Sequence, residues 1–130
     1  MAEFLRNQLV VIEGRSLRVR MALAFVEKQY ADPKLRLDSV AEHVRVSSHH
    51  LSSRIKKETG KGFRHHLIHV RLKAAWFYLT RSLMSVKEIS TLVGYCSTSS
   101  LDREFRRSFE CSPTEVRRQD EDSLVGGNHS

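Results

Sequence analysis

Two stretches of this chain share one apolar pattern, and that repetition limits the fold more than any other feature. Val40, Val44, Leu51 and Ile55 have counterparts in Ile89, Val93, Leu101 and Phe105. The first two pairs are offset by 49 residues and the last two by 50, so the second copy carries one extra residue in its turn. Lys56-Lys57 in the first copy answers to Arg106-Arg107 in the second. Apolar residues four apart lie on one face of an α-helix. Each copy therefore reads as a short helix, a tight turn and a longer basic helix. That is the plan of a helix-turn-helix, present twice.

The remaining segments also show helical spacing. Leu23, Val26 and Tyr30 predict a first helix over about Leu17 to Tyr30, ended by Asp32-Pro33. Asp38 is placed to cap the helix that holds Val40 and Val44. Ser47-Ser48 precede the next helix, and Gly60 supplies a left-handed stop. A longer helix runs from Phe63 to about Arg81, with Leu67, Val70, Ala74 and Phe77 predicted on one face. Ser85 with Glu88, and Ser112 with Glu115, form capping boxes, the second with Pro113 at the first helical position. The expected fold class is all-α: two helix-turn-helix subdomains joined by a long connecting helix. The expected boundaries are an N-terminal extension (1–16), a first subdomain (17–62), the connecting helix (63–81), a second subdomain (82–118) and a disordered polar tail (119–130).

Composition narrows the function. At 40% hydrophobic and 28% charged the chain has the makings of a core, which excludes a disordered tail. A formal net charge of +7 favours an anionic partner, nucleic acid first and a membrane surface second. The N-terminus carries Glu3 and Glu13 without a sustained apolar stretch, so it is not a signal peptide, and runs such as AAWFYL are too short to span a bilayer. Two cysteines, Cys96 and Cys111, build no disulfide scaffold and match no zinc spacing; both are expected reduced, in cytoplasm. His65 and His69 are four apart, but no metalloprotease pattern or third ligand accompanies them. No catalytic residue, metal or cofactor is expected.

The segment from Thr98 to Phe109 carries the functional argument. Leu101, Phe105 and Phe109 form an apolar stripe fit to pack on the preceding helix, while Arg103, Arg106 and Arg107 project elsewhere. Ser97 is placed as the cap, and small residues at the start let the helix end approach a surface closely. A helix N-terminus offers N–H groups and partial positive charge to phosphate. In a helix-turn-helix the second helix brings its N-terminal residues to the base edges of the major groove. Thr98, Ser99, Asp102 and Arg103 are thus candidates to read bases, and Ser97, Arg106 and Arg107 to hold phosphates. The competing reading is that Asp102 and Arg106 simply pair along a solvated face. In the first copy His49, Ser52 and Ser53 are the candidate base contacts. Ser48, Lys56 and Lys57 are the candidate phosphate contacts.

These residues resemble the DNA-binding domain of the AraC/XylS family of bacterial transcription regulators, over roughly Val19 to Arg118. The second half matches in Val86, Ile89-Ser90, Gly94-Tyr95, Ser99-Ser100-Leu101, Phe105-Arg106 and Ser112-Pro113 leading to Arg117. The first half matches in the run Leu51 to Gly60, and Arg71-Leu72 with Ala75 and Leu79 resemble the family's connecting helix. The resemblance implies recognition helices in successive major-groove segments of promoter DNA, about one turn (~34 Å) apart. It also implies activation through contact with RNA polymerase, and residence at the bacterial nucleoid. Longer members attach an effector-binding domain, for which residues 1–20 have no room, so no small-molecule effector domain is expected in this chain.

Three positions depart from the pattern. An arginine common in the family's first recognition helix is Ser53 here, beside Arg54, which weakens the case for base reading there. Leu101 and Ile55 replace aromatics, a harmless change of core volume. Glu110 replaces a glycine; a left-handed residue there would cost ~1 kcal/mol, so this turn is expected to differ. Two other functions compete: a protein-interaction module that has kept the fold, and a redox sensor acting through Cys96, which sits in the turn before a helix N-terminus.

Overall fold

The computed structural model describes residues 16–127, with side chains to residue 121; the rest of the predicted N-terminal extension lies outside the described residues. Seven helices occur among them: α1 (Leu17–Gln29), α2 (Leu37–Val44), α3 (Ser48–Thr59), α4 (Phe63–Arg81), α5 (Val86–Leu92), α6 (Thr98–Phe109) and α7 (Pro113–Gly127). No strand is present among the described residues, so the fold class is all-α. Packing divides the chain into two units. The first runs to Gln29 and resumes over Lys34–Leu67; the second comprises Tyr30–Pro33 and everything from Ile68 onward. Helix α4 therefore contributes to both.

In the first unit α1, α2 and α3 pack pairwise around Val19, Ala22 and Val26 from α1, Val40, Ala41 and Val44 from α2, and Leu51 and Ile55 from α3. Of the predicted α1 face, Val26 is buried, but Leu23 and Tyr30 are only half-buried. Met21, Leu23 and Phe25 make α1 apolar on several sides, so spacing alone does not single out the buried one. The cap of α2 also differs from expectation. Arg36 holds that position without a side-chain bond, and Asp38 lies inside the first turn. There its charge suits the helix N-terminus, and its carboxylate accepts a hydrogen bond from Ser48 Oγ at 2.5 Å. The turn between α2 and α3 begins at Arg45, in the left-handed region (φ 61°), and ends at Ser47, whose Oγ accepts the His50 N–H at 3.1 Å. Arg18 donates across to the carbonyls of Val44 and Arg45, satisfying oxygens that the end of α2 leaves open.

The second unit packs Leu72, Ala75 and Leu79 of α4 against Ile89, Val93 and Tyr95, Leu101 and Phe105 of α6, and Val116 of α7. Of the predicted α4 face only Leu67 is buried. Val70 and Ala74 are half-buried and Phe77 is exposed, whereas Arg71, Leu72, Ala75 and Leu79 are buried. The run AAWFYL is apolar all round, and periodicity cannot orient such a helix.

Two buried or half-buried arginines tie this unit together. Arg71 donates from Nε to the Tyr30 carbonyl and from a terminal nitrogen to the Asp32 carbonyl, each at 2.8 Å, with Tyr95's ring centroid 5.5 Å from its guanidinium carbon. Burial draws its pKa down, and Tyr95, Asp32 and Cys96 partly offset that. Arg117 donates to the carbonyls of Tyr78, Leu79, Ser82 and Met84, which the C-terminal turn of α4 and the following loop would otherwise leave open.

Both capping boxes form, each with reciprocal bonds: Ser85 with Glu88 at 3.0 and 3.3 Å, and Ser112 with Glu115 at 3.1 Å both ways. Contrary to expectation, Glu110 keeps the left-handed turn (φ 60°, ψ 20°), its N–H bonded to the Arg106 carbonyl at 2.9 Å. Within the predicted tail the backbone is helical to Gly127, and 128–130 lie outside the described residues. No glycine or proline interrupts Thr114 to Val125.

Gly94 (φ 100°) permits a close approach: a Cβ there would overlap the Tyr30 carbonyl oxygen and lie 2.8 Å from Arg71 Nε. Gly94→Ala is therefore expected to cost more than ~2 kcal/mol. Glu110→Gly should instead stabilise by roughly 0.5–1 kcal/mol, raising the melting temperature by a few degrees. Thermal denaturation followed by circular dichroism checks both signs.

Candidate nucleic-acid interface

Helix α6 is shaped for contact at its beginning. Ser97, in extended backbone, accepts the Ser100 N–H at 3.1 Å and lies 3.0 Å from Ser100 Oγ. Its hydroxyl is thus engaged in capping. Thr98 and Ser99, the next residues, are exposed and too small to obstruct an approaching surface. Arg103 is exposed and lies one turn beyond Ser99, on the same side. Beneath them Leu101 and Phe105 are fully buried, which anchors the helix. Phe109, the third member of the predicted stripe, stays exposed.

Asp102 takes the pairing that competed with base reading. It accepts from Arg106 Nε at 2.8 Å, with both side chains well exposed. Such a pair is weak and easily exchanged, so Arg106 remains available to a phosphate at little cost. Arg107 lies 3.9 Å from the nearly buried Glu104, a loose pairing that leaves its head in solvent.

In the first unit α3 presents exposed His49 and Ser53, four apart on one face, with Ser52 half-buried beside them. Lys56 and Lys57 are exposed at the C-terminal end. Ser48 points its hydroxyl proton at Asp38, so that donor is directed away from any phosphate. Arg54 does not stand in for the missing arginine at position 53. It pairs with Glu58 at 3.0 Å and borders a recess with Ser16, Arg18 and Val19, a hundred-degree turn of the helix away from Ser53. The second copy therefore presents an exposed arginine on this side of its helix, and the first a histidine and serines.

Among the described residues no three histidine, cysteine or carboxylate side chains converge to hold a metal. His66 Nε2 lies 2.8 Å from Thr59 Oγ1, and its ring meets His65 edge-on. Cys96 is exposed and Cys111 half-buried, and both are free thiols. No helix among the described residues is long and apolar enough to cross a membrane. Spacing alone did not reveal the roles of Arg45, Arg71 and Arg117. The short Val44-to-Ser47 connection hints at Arg45's strained turn, and family likeness points at the other two.

The helix-turn-helix domain family matches this chain over residues 40–119. The chain belongs to the AraC/XylS family of DNA-binding domains. That family consists of transcription regulators, not enzymes. The transcriptional activator RhaS of Escherichia coli is 31% identical over 106 residues, which make up 82% of this chain and 38% of that protein. This AraC/XylS domain thus spans well under half the length of the curated relatives it matches. The C-terminal domain of AraT, a response regulator of Geobacillus stearothermophilus, has 34% identity and a TM-score of 0.78, covering 80% of this chain and 86% of that one. The DNA-binding domain of the global transcriptional factor AdpA, solved with a target DNA, shares the fold at 24% identity and a TM-score of 0.75, covering 80% and 93%.

Two stability measurements test this local anatomy. Ser97→Ala should cost about 1 kcal/mol through loss of the cap. A double-mutant cycle on Asp102 and Arg106 in the free protein should give a coupling of ~0.5 kcal/mol or less; a larger value would mean that the pair is held too firmly to open for DNA.

Proposed function

We propose that this AraC/XylS-family protein is a sequence-specific DNA-binding transcription regulator that activates from promoter DNA in the bacterial cytoplasm, with RNA polymerase as its partner. The observation that carries the reading is the N-terminal turn of α6: a capped helix end, exposed Thr98 and Ser99, and exposed Arg103 on the same side. Arginine pairs bidentately with guanine in the major groove, and small hydroxyls accommodate either donor or acceptor. Asp102 suits a cytosine amine once it releases Arg106. Arg106 and Arg107, further along, serve phosphates, as do Lys56 and Lys57 on α3. His49, Ser52 and Ser53 form the weaker reading head of the first copy. Both recognition helices enter successive segments of the major groove on one DNA face.

The first experiment is selection of a random duplex library by the 130-residue protein, with sequencing of the retained DNA. Two enriched boxes about one helical turn apart are expected. A single box would assign base reading to α6 alone, with α3 kept for phosphates. No enrichment would overturn the reading and favour a protein-interaction module.

On the selected site, Arg103→Ala is expected to cost ~1–3 kcal/mol and relax preference at one base pair. Equal loss on random DNA would remove Arg103 from the reading set. Lys56→Ala or Arg106→Ala should weaken binding to all sequences and reduce the salt slope by about one unit each, measured by titration across salt concentrations.

A further inference from the structure

The second unit has an apolar surface that neither its core nor the reading end of α6 uses. Trp76, the single tryptophan of the chain, is 41% exposed, Phe77 52% and Phe109 39%. They floor an open groove of about 490 Å³. The floor is braced from within. Trp76 lies 5.0 Å from Phe109 between ring centroids and 6.0 Å from Phe105, and Phe105 is fully buried. An exposed tryptophan held this firmly is a costly surface to leave in water, and rigid aromatic clusters of this kind are where binding energy concentrates.

The rim is cationic. Lys73 and Arg81 border the groove with His69, and among the described residues no carboxylate does. Arg81 extends its guanidinium to 5.6 Å from the Phe77 ring centroid, which keeps the charge beside the apolar floor. The groove also stands apart from the DNA-reading end. Phe109 is the last residue of α6 and Thr98 the first. At 1.5 Å per residue they are about 16 Å apart along the axis, so base reading at Thr98 and Ser99 does not involve Phe109.

We propose that this groove docks an acidic amphipathic helix of a partner protein, with apolar side chains on Trp76, Phe77 and Phe109 and carboxylates facing Lys73 and Arg81. Charge complementarity selects this occupant. A second copy of the same face would set cationic rims against each other in a chain of net charge +7, and like charges across an interface are costly. The apolar floor requires apolar anchors as well, which the helix-in-groove mode supplies. The proposal goes beyond DNA binding and does not depend on it.

Trp76 is its own probe, because no other tryptophan contributes to emission. The full chain is titrated with a synthetic peptide of about 14 residues carrying leucines at i, i+3, i+4 and i+7 and glutamates elsewhere. A saturable blue shift is expected. A peptide with lysines in place of the glutamates should produce none. The variant Lys73→Glu/Arg81→Glu should weaken the acidic peptide by about tenfold or more, and Phe77→Ser should weaken it similarly while leaving the melting temperature and duplex-DNA affinity unchanged. The proposal is overturned if the acidic peptide gives no shift. It is also overturned if both peptides shift Trp76 equally, since charge then selects nothing. A single-stranded oligonucleotide that displaces the acidic peptide from Trp76 would make the groove a nucleic-acid surface instead.

Discussion

The Arg71 guanidinium is the constraint on which the second unit turns. It is nearly excluded from water and meets the carbonyls of Tyr30 and Asp32, oxygens in a segment that leaves helical structure after Gln29. Hydrogen bonds to a charged donor contribute about 1.5–3 kcal/mol each, and removing the arginine would strand two carbonyls as well. The same contact dictates Gly94, because the Tyr30 carbonyl and Arg71 occupy the space a Cβ would need. Gly94 opens the turn that leads through Tyr95 and Cys96 to Ser97 and the start of α6. A buried charge therefore holds the backbone from which the recognition helix is aimed. A lysine could not replace it, since one ammonium lacks the planar fork that reaches both carbonyls and lies over the Tyr95 ring.

The two helix-turn-helix copies solve the same problem with unequal materials. Both recognition helices begin at a serine cap and end with a left-handed residue, Gly60 in one and Glu110 in the other. Both bury two apolar residues four apart and place two cations in the last turn, where they also suit the C-terminal end of the helix dipole. They differ on the reading side. In α6 an arginine stands exposed above small hydroxylated residues, whereas in α3 the neighbouring arginine is turned toward α1 and held by Glu58. That asymmetry comes from one step of helical rotation: at a hundred degrees per residue, an arginine at position 54 rather than 53 lies off the face that His49 and Ser53 share.

Much of this was legible in the sequence. The apolar repeat, both capping boxes, the serine cap of α6 and the stop at Gly60 each rest on local chemistry, within about four residues along the chain. The faces of α1 and α4 were legible only in Val26 and Leu67, because both helices carry large apolar residues on several sides and periodicity does not rank them. Asp38 was misplaced as a cap for a related reason: a carboxylate suits the cap and the first turn alike. The family likeness placed Arg71, Leu72, Ala75 and Leu79 together where spacing did not, and these are the buried residues of α4.

At the candidate interface the sequence named the residue types and their order, and the structure decided which atoms remain available. Ser97 and Ser48 have their hydroxyls engaged, in a cap and with Asp38, and Asp102 holds Arg106; Thr98, Ser99 and Arg103 are exposed. The sequence by itself determined that the chain is all-α, that it repeats one motif, and where most of its helices start. Those properties depend on contacts within a turn or two, which residue order specifies directly. Only the tertiary structure decided which side of each helix is buried, that Glu110 accepts a strained conformation, and that Trp76 and Phe109 are left at the surface. Each of those depends on what packs against the helix from elsewhere in the chain, and no local spacing encodes it.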